Sequence, residues 1–367
     1  MKYKILSPVH AARYADLLQA LEHTFVERFG ISGRKGSFVS RTVKGRPYWY
    51  FQHMVNNRQE HIFLGPDSSE LRAAIQETKE TRDTIKQLCA ALTHTDGFVF
   101  RGEASRALEA LSDSGLFLAG AMLIGTNAFM AFQNALGVHW QASVETTQTT
   151  DIDFAQFSRF KLGVPLDVAS AVRQSLKDLE ANPVWKSLDR KAAPWTYVMK
   201  GGSGFSIEFL TPHIGSEEKG TKPVPLPWAG VSAQPIRYMD YLIETSFHAI
   251  APVNNSAVLI NLPDPGRFAL HKLIVHERRH MANAIKKRKD LAQAGTLISF
   301  LSEKHPEVLE TAWQDLLSKH RTWGKLVQEG AKKLPDDVKD IPIVSTILKA
   351  DFKHTEERNP KTTHTRS

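Results

Sequence analysis

The sequence predicts an α+β protein, with a central mixed sheet and flanking helices, a β-meander and helix before it, and a mainly helical region after it. Three observations carry this reading. Between about residues 97 and 215, apolar runs of strand length alternate with runs of helical period, a pattern that sets helices against a sheet. Before them, residues 36–66 hold three short β-rich runs, parted by turn signals at Lys44-Gly45 and Asn56-Asn57. From Ile236 to about Leu326 the apolar spacing is mainly helical, interrupted by the apolar run "SAVLINLP".

In chain order, residues 9–30 form a helix on the stripe Leu17, Leu18, Leu21 and Phe25, and the three-stranded meander follows. Asp67-Ser68-Ser69-Glu70 is a helix start leading into a polar helix to about Leu92. The centre then reads as a helix at 102–114, an apolar strand at 116–124 and a helix at 127–136. An acidic strand at 150–156, a helix at 166–180 and a strand pair near 195–210 complete it. Residues 215–235, rich in Pro and Gly, read as a long surface loop. The expected domains are 1–96, 97–215 and 216–335, with a partly disordered tail at 336–367 that ends in the polar "KHTEERNPKTTHTRS".

A chain of 367 residues has room for two or three domains. Apolar residues at 42% and charged residues at 23% are ordinary for a soluble globular protein. The formal charge of +8 and a pI near 9.4 favour polyanionic partners such as nucleic acid or nucleotides. The single cysteine, Cys89, excludes an intramolecular disulfide, fits a reducing cytoplasm, and sits in an apolar helix pattern as a structural thiol. "MKYKILSPVH" lacks the apolar core of a signal peptide. The long apolar run at 115–132 is broken by Gly120, Gly125, Thr126 and Asn127, so a soluble cytoplasmic protein with no membrane partner is expected.

The chemistry centres on "TTDIDFA", residues 149–155. Alternation on a strand puts Ile152 and Phe154 on one face and Asp151 and Asp153 on the other. Two such carboxylates repel unless a cation lies between them. A pair of divalent ions about 3.5–4 Å apart is one solution, and it supports phosphoryl or nucleotidyl transfer. Hard oxygen ligands suit Mg²⁺. The competing reading is a solvent-exposed strand with two ordinary acids. Upstream, "FLAGAMLI" ends in Gly125-Thr126, where a helix begins and phosphate can approach the backbone. Downstream, "GFSIEFLTP" offers a third acid, Glu208, between Ile207 and Phe209.

This order, Gly-Thr at a strand–helix turn, Asp-x-Asp, then a lone acid in a later strand, resembles the DNA polymerase β-type nucleotidyltransferase superfamily. With "LIGTNAFMAFQNALGV" and "GRFALHKLIVHERR" added, residues 100–290 are similar to bacterial nucleotidyltransferase-like proteins related to abortive-infection toxin enzymes. The resemblance implies that Gly125 and Thr126 hold the triphosphate of an NTP substrate such as ATP. It implies that Asp151 and Asp153 ligate two Mg²⁺ ions, and that Glu208 ligates the catalytic one near an acceptor hydroxyl. A lysine like Lys272, with Arg279 on the same helix face, would reach the nucleotide phosphates. An RNA such as tRNA, or a protein, would be the acceptor, and an antitoxin protein a possible partner. Two features depart from the family pattern: an inserted stretch at 138–149, and Glu in place of the usual Asp as third acid. Asp167, the rival third acid, reads more simply as a helix N-cap.

Two basic segments complete the inventory. Residues 266–290 carry eight Lys/Arg against Glu277 and Asp290, net +6. Lys272 lies among Phe268, Leu270, Leu273 and Ile274, where a charge without a partner is costly. Residues 31–65 carry six Lys/Arg against Glu60, net +5, with Tyr48, Trp49 and Tyr50 interleaved. Such a segment either binds nucleic acid or is a small sheet whose aromatics pack on the next helix. His271, His276 and His280 lack companions for zinc, and no zinc site is expected. The alternative to an enzyme is a nucleic-acid-binding protein with an inactive nucleotidyltransferase fold. The three acids in order favour the enzyme.

Overall fold

The computed structural model describes residues 3–24, 36–55, 58–141, 143–157, 167–184, 194–201, 203–213, 222–254, 256–279 and 283–352. The chain forms two compact units. One holds Tyr3–Gln141 and Thr147–Pro263, the other Asp264–Ser367 and the short segment Ala142–Thr146.

The first unit opens with β1 (Tyr3–Ile5) and α1 (Pro8–Thr24). The expected three-stranded meander follows as β2 (Gly36–Val43), β3 (Arg46–Val55) and β4 (Arg58–Pro66). The Lys44-Gly45 turn is closed by the pair Val43↔Arg46. Asn56, Asn57 and Phe25 lie outside the described residues. Next comes α2 (Ser69–Thr93), capped by Ser68, whose hydroxyl accepts from the Leu71 N–H at 3.1 Å. Its Cys89 packs with Leu17 and Leu92, and burial pushes the thiol up to about 11, as befits a structural cysteine.

The centre runs α3 (Gly102–Asp113), β5 (Met122–Ile124), α4 (Gly125–Ala135), β6 (Val138–Trp140), α5 (Val144–Thr147) and β7 (Asp151–Ala155). It continues as α6 (Val168–Asp178), β8 (Ala181–Val184), β9 (Thr196–Met199) and β10 (Ser206–Pro212). The strand expected at 116–124 is only its last three residues. Gly115 and Gly120 take φ of +81° and +86°, and turn hydrogen bonds such as Ala119 N–H to the Gly115 carbonyl coil the chain first. The inserted stretch holds β6, which pairs antiparallel with β1, and Trp140 stacks on Phe129 at 5.5 Å.

Of the loop expected at 215–235, residues 215–221 lie outside the described residues, and the rest instead contributes β11 (Val224–Leu226) and β12 (Val231–Ile236) to the sheet. Proline disguised them: Pro225 sits on the edge strand β11, where a missing ladder N–H is tolerated. The helical reading after Ile236 also needs correction. A short α7 (Met239–Ile243) precedes an antiparallel hairpin, β13 (Ser246–Val253) with β14 (Ser256–Pro263). Short apolar runs do not distinguish strand from helix by period alone. The hairpin packs against α3, α4 and β5, carrying this unit to Pro263, whereas the sequence set a domain limit at 215.

The seven-stranded sheet has the order β11-β12-β10-β7-β5, with β9 beside the first half of β10 and β8 beyond it. β10 runs parallel to both β7 and β12, and the remaining pairs are antiparallel. This is the mixed sheet with flanking helices of an α+β fold. Ile152, Phe154, Ile207 and Phe209 fill its covered face, with Phe154 and Phe209 at 6.0 Å.

The second unit is helical: α8 (Pro265–Arg278), α9 (Ala284–Lys304), α10 (Pro306–Lys319), α11 (Arg321–Ala331), α12 (Asp336–Lys339) and α13 (Pro342–Lys349). The first part of the expected tail is thus folded, and Gln328 Nε2 donates to the Ile347, Leu348 and Ala350 carbonyls. The segment 353–367 lies outside the described residues. Among the described residues no helix is long and apolar enough to cross a membrane.

Candidate active site

Strand alternation sets the carboxylates. In β7, Ile152 and Phe154 are buried while Asp151 and Asp153 are half-buried, and in β10 Glu208 is half-buried between buried Ile207 and Phe209. The parallel register pairs Ser206 with Asp151 and Glu208 with Asp153. Asp151, Asp153 and Glu208 therefore share one face of adjacent strands, with Asp153 and Glu208 as direct neighbours about 4.8 Å apart in the pairing direction. Asp151 stands about 7 Å further along β7. Among the described residues no three His, Cys, Asp or Glu side chains are drawn into a cluster placed to hold a metal ion. The acids share a face without closing a cage.

Two of the three carboxylates have hydroxyl partners that the sequence alone did not name. Thr149 Oγ1 donates to Asp151 Oδ1, and Thr196 Oγ1 of β9 donates to Glu208 Oε1 at 3.5 Å. Asn127, in the first turn of α4, donates from Nδ2 to the Asp151 carbonyl at 2.8 Å and ties that helix start to β7. The available signal was a run of hydroxyls, Thr149-Thr150, directly before the motif.

β5 flanks β7 on its other edge with Ile124 opposite Asp153, so Gly125 comes next to that carboxylate. Its φ of +67° lies in the left-handed region, and a Cβ there would collide with Asp153 Oδ2. Only glycine satisfies both demands. Thr126 is 5% exposed in the first turn of α4. The donor set, hard carboxylate oxygens beside a glycine backbone at a helix start, fits a divalent cation and a phosphate group.

Lys272 and Arg279 belong to the helical unit, where both meet one carboxylate. Lys272 Nζ lies 2.8 Å from Asp290 Oδ1, and Arg279 Nε donates to Asp290 Oδ2. Lys272 is 7% exposed and Asp290 1%. Burial pushes the Asp290 carboxyl up, but the Lys272 and Arg279 charges outweigh it and leave it below the ordinary carboxylate value. Beside them His271 is pushed down to about 3, first by burial and then by the Lys272 charge. Its Nε2 has no hydrogen-bond partner among the described residues. The need of a buried lysine for a counter-charge was readable from its apolar neighbours, but that the counter-charge is Asp290 was not. Asp167 caps α6, accepting from the Ser170 N–H at 3.0 Å. His280 lies outside the described residues.

Residues 102–318, more than half of the chain, match the family described as nucleotidyltransferase. A further match, to a domain of unknown function, covers residues 9–73. The solved structure of an antigenic nucleotidyltransferase-like protein from Paracoccidioides brasiliensis is similar at 14% identity and a TM-score of 0.27, covering 60% of this chain and 93% of that one. No curated protein matches the sequence.

Proposed function

The chain belongs to this nucleotidyltransferase family, and from that premise we propose that it moves an NMP from an NTP to a hydroxyl, using two Mg²⁺ ions held by Asp151, Asp153 and Glu208. The observation that carries the reading is the register Glu208↔Asp153, which sets acids of two parallel strands on one face beside Gly125. Bound there, the ions would neutralise triphosphate charge and make the acceptor hydroxyl a better nucleophile. The chain's own residues supply the rest. Thr149 and Thr196 orient two of the carboxylates through their hydroxyls, and Asn127 holds the start of α4 to β7. Gly125 leaves the backbone bare for a phosphate, and the first turn of α4, with Thr126, favours its negative charge.

ATP is the first NTP to test. The resemblance to toxin-type enzymes makes an RNA such as tRNA, or a protein, the proposed acceptor, with an antitoxin protein as a regulatory partner. A cytoplasmic setting belongs to the proposal, since the lone buried cysteine needs no oxidising compartment. Lys272 and Arg279 remain proposed phosphate contacts, although Asp290 already engages both. The test is incubation with each α-labelled NTP, Mg²⁺, and total cellular RNA and protein. Label should enter one acceptor class with one preferred NTP, and no transfer from any NTP to either class would overturn the proposal.

A further inference from the structure

The meander has two unlike faces. On one, Phe38 and Phe51 lie 5.3 Å apart, and Arg82 of α2 covers their rings at 5.7 and 5.0 Å. Phe51 is fully buried there, and Trp49 Nε1 on the same face donates to Asp67 at 2.8 Å. These aromatics belong to the packing of the sheet.

The opposite face is built differently. Tyr48 and Tyr50 approach Phe63 with ring centroids at 6.0 and 5.5 Å, so three aromatic rings form one continuous patch across β3 and β4. Arg41 pairs with Tyr48 in the β2–β3 register, lies 5.8 Å over the Tyr50 ring, and sits 2.6 Å from His61 Nε2. Phe63 is 58% exposed and Val43, beside the turn, is 46% exposed. Arg41, Lys44 and Arg46 are all exposed, and among the described residues none is paired with a carboxylate. A sheet that only packed on α2 has no need of an aromatic patch with two half-buried tyrosines, an exposed phenylalanine and three exposed cations away from that helix.

We propose that this outer face, centred on Tyr48, Tyr50 and Phe63 with Arg41, Lys44 and Arg46, binds a single-stranded polynucleotide. The rings offer stacking surfaces for unpaired bases, and the three cations, none bound to a carboxylate among the described residues, offer contacts for the phosphates between them. A duplex keeps its bases stacked inside and would engage only the cations. An acidic peptide would answer the charge but leave the rings uncovered. A second copy would bring like charge against like. This surface shares no residue with the carboxylate face, so polynucleotide binding here is separable from the transfer reaction.

The test is fluorescence anisotropy of the full chain with a short labelled oligonucleotide as single-stranded RNA, as single-stranded DNA and as duplex. Either single strand should bind more tightly than the duplex by about tenfold or more. Phe63→Ala and Tyr50→Ala should each weaken single-strand binding by about tenfold, and Arg41→Gln should flatten the salt dependence by about one phosphate contact. Phe63 is exposed, so its alanine variant decides alone if Tyr50→Ala proves unfolded. Duplex bound as tightly as single strand with Phe63→Ala unchanged would show charge attraction alone and overturn the proposal. So would no binding to any oligonucleotide, or a dimer that Phe63→Ala converts to monomer.

Discussion

Asp290 joins two cations that the family resemblance assigns to phosphate, and single substitutions there separate structural from binding roles. Lys272→Ala leaves Asp290 buried with Arg279 as its remaining cation, so stability should drop by about 3 kcal/mol, measured by urea denaturation. A loss under about 0.5 kcal/mol would show that the pair carries little. His271 makes a second prediction at this scale. Its folded pKa of about 3 lies below the unfolded value near 6.5, so the folded state binds fewer protons in that window. Its stabilising contribution is therefore complete above about pH 6.5 and falls by at most about 1.4 kcal/mol per pH unit as the pH drops towards 3. His271→Leu should flatten that slope relative to wild type, and parallel pH profiles would contradict the assignment.

At the scale of the element, the start of α4 is the most constrained point of the site. Gly125→Ala should cost about 2 kcal/mol or more, because it forces a left-handed residue and drives a methyl into Asp153. It should also abolish transfer, whereas a variant with wild-type melting temperature and turnover would remove Gly125 from the site. Elements with one clear period were legible: the β7 and β10 alternation, the meander, the helix start at 67–70, the helices α3 and α6, and the described part of the helix expected at 9–30 all stand where the sequence set them, within a few residues. The failures have local causes. Glycines at positive φ shorten β5, prolines disguise β11, and the β13–β14 hairpin is too brief for its period to exclude a helix. Side-chain partners such as Thr196 with Glu208 and Asp290 with Lys272 depend on tertiary placement, which no spacing encodes.

For the whole molecule, the family match over residues 102–318 spans all four motifs that together carried the resemblance. The mixed sheet makes parallel neighbours of β7 and β10, although α6, β8 and β9 lie between them in the chain, and this brings Glu208 beside Asp153. The proposed transfer chemistry depends on this shared face binding metal ions. With the ions held as proposed, Asp153→Asn would remove a charged ligand but relieve like-charge repulsion, so the fold should hold while transfer fails. The most direct measurement is Mn²⁺ titration followed by electron paramagnetic resonance, with a non-reacting NTP analogue present, in wild type and in Asp153→Asn. Wild type should bind two ions per chain and the variant fewer, with both proteins melting alike. Equal stoichiometry and affinity in the two proteins would contradict the proposal.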